Sequence, residues 1–488
     1  MHPIHPLALA ATRRQFLRGC GLGLGQVALH ALWADGARPG RSPTDRATER
    51  ANDRAHDPLA PRPPHFPPRA RRVVQLFMGG APSQYELFTD KPQLARLAGK
   101  PVPPSILGGQ RYAFIRPDAA VLGPQYRFAR HGQSGIAVSE VLPCTAAIVD
   151  KLCLVHSVHT DQFNHAPAQL LLQTGFAQPG RPALGSWALY GLGSETRDLP
   201  AFVVMSTGSG LSGGAALWSN GFMPGSYGGV RLRDQGPPIL DVESPAGIDA
   251  TAQRDALAAI TQLDRLALAR DGEAEIGTHL AAYEMAFRMQ TSAPELTDLA
   301  DESAATLALY GCDARTPSFA RACLLARRLL ERGVRCVTIF HEGWDAHSDV
   351  AGNVADNARA TDRASAALVL DLERRGMLDD TLVVWGGEFG RTPMVESNPA
   401  LGRRLGRDHH PQAFPMWLAG GGVRAGHQHG VTDELGFHVV DGAVHVHDLQ
   451  ATVLHCLGFD HERLTFPHAG RDYRLTDVHG RVVPQLLA

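Results

Sequence analysis

Lysine is nearly missing from this 488-residue sequence: Lys91, Lys100 and Lys151 are the only three among 47 basic residues. Basic and acidic residues still almost balance, at a net charge of −2. No excess of positive charge is left to neutralise a phosphate backbone, so no nucleic acid partner is expected. The seven cysteines contain no Cys-x-x-Cys pair, which removes the common zinc-ribbon and thioredoxin-like patterns. No apolar run reaches the roughly 20 residues of a spanning helix, so no stable transmembrane span is expected. What is present, 44% hydrophobic and 20% charged residues, is the composition of a globular protein with a packed core.

The amino terminus carries Thr12-Arg13-Arg14-Gln15-Phe16-Leu17-Arg18 before a weakly apolar, glycine-containing run from Gly19 to Ala34. Paired arginines before a short apolar segment have the layout of a twin-arginine export signal. Residues 1–34 therefore read as a signal, and the protein is expected to be exported, to the periplasm or beyond. Of the six cysteines beyond the signal, Cys323, Cys336 and Cys456 lie in apolar runs and read as buried thiols. Cys144 and Cys153 are the best candidates for a disulfide. Residues 35–72 are rich in proline and arginine with almost no aliphatic run, a composition that cannot offset the entropy of ordering, and they read as a disordered linker.

From residue 73 to 488 the chain alternates short β-branched runs with long helical patterns, which predicts a mostly parallel α/β sheet. The expected strands are Arg72–Met78, Leu152–Val158, Ala201–Met205, Val334–Phe340, Thr381–Trp385 and Pro415–Ala419. Helices over Phe319–Arg332 and Ala358–Arg375 repeat apolar residues at three- and four-residue spacing, as amphipathic crossovers do. An Ala/Leu-rich, acidic stretch at about 248–310 reads as a helical insertion. Ser206–Gln235, rich in Gly and Ser, reads as a long surface excursion.

Ligands of open α/β sheets bind beyond the carboxyl ends of the strands, and there the polar residues gather. The first strand leads into Gly79-Gly80-Ala81-Pro82-Ser83-Gln84-Tyr85-Glu86. The second leads to His159, Asp161, Asn164 and His165. A later strand ending at Phe340 leads to Asp345 and His347, and the one ending at Trp385 leads to Glu388 and Arg391. Arg407-Asp408-His409-His410 precedes the last strand. Asp345, His347, Glu388 and one of His409 or His410 supply the N and O donors a divalent ion requires, and Asp-x-His in extended backbone puts both side chains on one side. Taken singly, each of these histidines is as well explained as a surface or hydrogen-bonded residue. Ser83 is a candidate nucleophile, or a structural serine in a tight turn. Arg391 is a candidate clamp for an anionic ester, or a partner of Glu388. His165 is a candidate catalytic group, or a capping or packing residue. His447-Asp448 reads as the start of a helix.

The segments LFMGGAPSQYELF, LLARRLLERGVRCVTIFHEGWDAHSD, LDDTLVVWGGEFGRTP and GRDHHPQAFPMWLAGGGVRAG carry a resemblance. They resemble the domain-of-unknown-function 1501 family, exported sulfatase-like proteins that are in turn similar to the alkaline phosphatase and sulfatase superfamily. The resemblance implies a three-layer α/β/α sandwich and hydrolysis of sulfate or phosphate esters with divalent metal (Zn, Mn, Ca or Mg). On it, Asp345 and His347 match one metal-binding element, His409 or His410 a late metal histidine, and Glu388-Phe389-Gly390 an Asp-His-Gly element whose His is replaced. Gly79 and Gly80 stand where the superfamily's first-strand aspartates fall, which leaves one metal site and casts Glu86 as a replacement ligand. Neither Cys-x-Pro-x-Arg nor Ser-x-Pro-x-Arg occurs, so formylglycine chemistry is not implied. Two functions follow: an exported metal-dependent hydrolase of a small anionic ester or polysaccharide, and a catalytically silent relative that binds a carbohydrate or an envelope partner.

Overall fold

A computed structural model describes residues 57–107, 119–208, 211–233, 249–271, 294–398 and 402–488, with residues 285, 289 and 292. The expected signal (1–34), the first part of the expected linker (35–56) and much of the expected helical insertion between 272 and 293 lie outside the described residues. The chain divides into two units, Pro58–Glu243 with Ala281–Ala488, and Met1–Asp57 with Ser244–Leu280. In the smaller, the insertion forms a 22-residue helix, α4 (Ala250–Asp271).

The larger unit is built on nine strands. They are β1 (Arg72–Gly79), β2 (Leu152–His159), β3 (Phe202–Thr207), β4 (Val230–Arg231), β5 (Cys336–Glu342), β6 (Thr381–Gly386), β7 (Phe414–Ala419), β8 (His427–His429) and β9 (Val444–His445). Their order across the sheet is β8-β2-β7-β6-β1-β5-β3-β4, with β9 also on β2. The six strands expected from the sequence are all present within about two residues. The three two- and three-residue strands were not expected, being too short for a hydrophobic period to show.

Pairing is parallel throughout except at β7, which runs antiparallel to both β2 and β6. That exception fixes the site: the start of β7 lies at the same sheet edge as the carboxyl ends of β1, β2, β5 and β6.

Successive side chains on a strand point to opposite faces, and both faces here are apolar. Val74, Leu76 and Met78 pack in one core with α1 (Pro143–Ala147), α5 (Phe319–Glu331) and α6 (Val350–Arg374). Val73 and Phe77 pack in the other with α2 (His165–Thr174), α3 (Leu184–Leu192) and α7 (Val446–Cys456). The result is the expected three-layer α/β/α sandwich around a mainly parallel sheet. Helix α7 starts as expected, Asp448 closing a capping box onto the His445 backbone. Helix α6 begins eight residues earlier than its apolar period, because Asn353 and Asn357 are held by the Gly343 carbonyl at 2.7 and 3.0 Å.

Three expectations are corrected. Residues 58–71 are not a free linker: Arg62 N–H donates to Leu192 O, His65 and Phe66 to Gly458 O, Arg69 and Ala70 to Cys456 O, and Arg71 to Asp380 O. A proline-rich strap with few apolar residues is ordered here by backbone hydrogen bonds to the ends of α3 and α7. The Ser206–Gln235 excursion buries Leu217, Met223 and Tyr227, so it belongs to the core. Cys144 and Cys153 are free thiols: Cys153 is buried in the β2 core, while the Cys144 N–H is bound to Asp362 at 2.7 Å.

A chain beginning at Arg72 is expected to be less stable than one beginning at Pro58 by at least about 3 kcal/mol, at about 1 kcal/mol per strap hydrogen bond. Urea unfolding of the two chains measures this, and equal midpoints with equal slopes would show that the strap contributes nothing.

Candidate metal centre

Asp345 stands at the middle of the carboxyl edge, in the loop after β5. Its Oδ1 accepts from the Arg391 guanidinium at 2.6 Å, and the Nε2 atoms of His347, His409 and His165 face it at 3.1, 3.3 and 3.4 Å. Each histidine comes from a different place. His165 opens α2, His347 follows Asp345 by two residues as the Asp-x-His spacing requires, and His409 lies on a two-residue ribbon with Arg391.

The ribbon explains which of the adjacent histidines serves the site. His409 pairs with Arg391 and His410 with Gly390 in antiparallel register, so His409 and His410 point to opposite sides. His410 is wholly buried, stacked on Phe437 with ring centroids 4.2 Å apart, and its Nε2 donates to the Phe437 carbonyl. It is a core histidine and not a ligand.

The far nitrogens of the three site histidines are also occupied. His165 Nδ1 lies 2.7 Å from Glu388 Oε1, His347 Nδ1 2.5 Å from Glu396 Oε2, and His409 Nδ1 2.8 Å from the Phe163 carbonyl. Carboxylates and carbonyls only accept, so Nδ1 carries the proton in all three and Nε2 is turned toward Asp345. Carboxylate–histidine pairs of this kind set the tautomer of metal-ligating imidazoles.

Burial is the largest influence on Asp345 and works to raise its carboxyl, but the three imidazoles and Arg391 outweigh it and hold it far below the usual range. Burial also opposes charge on His165, yet Asp345 and Glu388 raise it to about 9. His347 is raised by Asp345 and Glu396 against the same opposition. His409 goes the other way: burial lowers it to about 4, with Arg391 and His165 adding to the effect.

The residues fit a cation on two counts. A neutral His409 whose Nδ1 proton is given to Phe163 presents a lone pair to the Asp345 carboxylate at 3.3 Å, which is repulsive unless positive charge lies between them. His165 Nε2 is buried and makes no hydrogen bond. The donor atoms of His165, Asp345 and His409 lie within 4.8 Å of one another, a spacing one ion spans. His347 belongs with Glu396 and Asp408 in a second such group, where Glu396 is already paired with Arg403. Two imidazoles and a carboxylate suit Zn²⁺ or Mn²⁺ better than Mg²⁺ or Ca²⁺, which prefer all-oxygen shells.

Four of the expected site residues take other positions. Glu388 is fully buried and sits behind His165, its oxygens bound by Gly80 N–H at 3.1 Å and Gln169 Nε2 at 3.0 Å. Glu86 is buried against Arg407, which reaches it through Nη2 at 2.7 Å and Nε at 3.1 Å, and it also accepts from Ser83. Neither oxygen of Glu86 is available to an ion, and the Ser83 hydroxyl, 1% exposed, is committed to Glu86. Arg391 is neither a clamp for an anion nor a partner of Glu388. It is wholly buried and donates to the carbonyls of Gly80, Ala81 and Arg407 as well as to Asp345.

Sequence reasoning passed over Glu396, Asp408 and the Phe163 carbonyl. Glu396 lies just beyond a segment already singled out and Asp408 inside one, but no local pattern marks either as a ligand, and a backbone carbonyl leaves no mark at all. Gly80 has a readable reason: at φ 103° its turn lies on the Asp345 backbone, where a Cβ would come within 2.5 Å of the Asp345 nitrogen.

A family model described as "Protein of unknown function (DUF1501)" matches residues 70–487. No curated protein matches the sequence. Among solved structures, the lipoteichoic acid synthase LtaP from Listeria monocytogenes is similar with a TM-score of 0.35 and 9% identity, over 84% of this chain and 78% of that one. The PsFucS1 sulfatase from Pseudoalteromonas sp. gives 0.35 and 11% over 81% and 69%. The alkaline phosphatase from the Antarctic bacterium TAB5 gives 0.30 and 10% over 80% and 97%.

Two measurements check these placements. Glu86→Ala strands the Arg407 charge and is expected to cost about 3–5 kcal/mol in urea unfolding while leaving bound metal per chain unchanged; metal loss at unchanged stability would make Glu86 a ligand. Because burial lowers His410 to about 4, the unfolded chain takes up a proton there that the folded chain refuses. Stability is therefore lost as pH falls from about 6.5 toward 4, by up to about 3 kcal/mol. His410→Gln is expected to flatten that part of the stability–pH curve, and an unchanged curve would place His410 in water.

Proposed function

This chain belongs to the DUF1501 family, and we propose that it is a metal-dependent hydrolase of sulfate or phosphate monoesters. The observation that carries the reading is the convergence of the donor atoms of His165, Asp345 and His409 within 4.8 Å of one another at the carboxyl edge of the sheet. His165, Asp345 and His409 would hold a divalent ion, most suitably zinc or manganese. Such an ion supplies positive charge to an ester oxygen and favours ionised oxygen nucleophiles at neutral pH.

The chain's own residues do the rest. Arg391 keeps Asp345 in place from below through backbone carbonyls that leave it no freedom to turn. Glu388 and Glu396 hold the Nδ1 protons of His165 and His347 and so orient both rings. His347, between the Asp345 and Glu396 carboxylates, is pushed toward its charged form next to the position where an anionic ester would approach, and preorganised positive charge there lowers a barrier. With the Ser83 hydroxyl committed to Glu86, the attacking group in this reading is water.

The same commitment of Ser83 favours a second reading, a silent relative that binds its ligand without turnover. In either reading the protein is exported. The paired Arg13-Arg14 ahead of a short apolar run supports a route that carries folded chains, and no helix among the described residues is long and apolar enough to cross a membrane.

Protein purified without chelator is expected to carry about one zinc or manganese ion per chain by mass spectrometry and to hydrolyse p-nitrophenyl sulfate or phosphate. Asp345→Asn and His409→Ala are expected to lose both, and Glu388→Gln to weaken metal affinity about 10–100-fold. Metal without turnover across both ester classes would leave the silent reading. A folded protein that takes up no metal would overturn the hydrolase.

A further inference from the structure

Next to the metal centre, at the carboxyl ends of β3 and β5, lies a cavity of about 190 Å³ walled by Ser206, Leu211, Trp218, Arg231 and Glu342. β5 neighbours β1, so this cavity begins one strand from the Gly79-Gly80 turn. Gly79 packs against its wall: a Cβ there would stand 3.2 Å from Glu342 Cγ and 3.7 Å from Leu211 Cδ2. The far wall is tied to the centre by a relay. Gly213 N–H donates to Gln169 Oε1 at 2.9 Å, Gln169 Nε2 donates to Glu388 at 3.0 Å, and Glu388 holds His165.

The lining has a definite chemistry. Trp218 is half-buried, packed against Phe340 at 5.9 Å, and lends the cavity an apolar aromatic surface. Arg231 lies on β4, the strand beside β3, and donates to Ser206 Oγ at 2.7 Å, leaving further guanidinium N–H groups and the serine proton. The Glu342 carboxyl receives no hydrogen bond from any described residue. Burial, and then the charge of Glu388, raise it to about 7, so near neutral pH it both donates and accepts. An aromatic surface ringed by groups that donate and accept matches a ring carrying C–H on its faces and hydroxyls on its rim.

We propose that this cavity is the alcohol-side pocket of the site and takes one sugar ring of an esterified saccharide. The proposal rests on the hydrolase reading only for the ester; the sugar pocket has its own test. Gly79 then has a function: any side chain there would press on Glu342 and Leu211 and narrow the pocket.

Saturation-transfer NMR with galactose, N-acetylglucosamine and their 6-sulfates, on metal-loaded protein, tests it. Wild type is expected to bind at least one of the unsulfated sugars. Asp345→Asn should keep that binding while losing turnover of the sulfate. Trp218→Ala and Glu342→Ala should weaken it at least tenfold with unchanged thermal midpoints, and Glu342→Ala removes no hydrogen bond of the fold. Gly79→Val should block it. Sugar binding equal in wild type, Trp218→Ala and Glu342→Ala, or no binding of either sugar by an active enzyme, would overturn the pocket. Sugar binding lost as expected in the pocket variants, with no ester turned over by wild type, would support the pocket and remove the hydrolase reading.

Discussion

The site depends on one oxygen, Asp345 Oδ1. A buried guanidinium is costly unless all its donors are met, and Arg391 meets that demand by donating to three backbone carbonyls from two separate loops. The one remaining direction is Asp345. Since Arg391 cannot move without abandoning several hydrogen bonds, the carboxylate is fixed before any ligand arrives, and three imidazoles from three elements are set around it.

The same logic extends outward. Each imidazole is held at Nδ1 by an acceptor, and those acceptors are held in turn: Glu388 by Gly80 and Gln169, Glu396 by Arg403. Next to this cluster, Glu86, Arg407 and Ser83 form a closed, satisfied group that gives up none of its atoms to the site. Two carboxylates that look alike in sequence, Glu86 and Glu388, therefore do different work. Glu86 neutralises a buried cation. Glu388 aims a ring.

Much of the architecture was legible beforehand because strands buried on both faces have a plain signature. Runs such as Leu152–Val155 and Leu382–Trp385 are continuously apolar, and the rule that function gathers at carboxyl ends then pointed to Asp345, His347 and the 409–410 pair. The strap at 58–71 was misread for an instructive reason: its order comes from backbone hydrogen bonds to partners more than a hundred residues away, and composition carries no trace of these. Helix α6 was begun too late because Gly352, Asn353 and Asn357 are poor helix formers whose cost is met by the Gly343 carbonyl.

Sequence alone determined the class of fold, the edge of the sheet where polar residues collect, and the presence there of enough imidazole and carboxylate to hold an ion. Those properties follow from local periodicity and residue chemistry. Which histidine of His409 and His410 faces the site, that Arg391 braces Asp345 instead of binding an anion, and that Glu86 is spent on Arg407 were decided only by tertiary structure. Each turns on the parity of a two-residue ribbon or on the partner a buried charge meets, and both are set by pairings between segments distant in the chain.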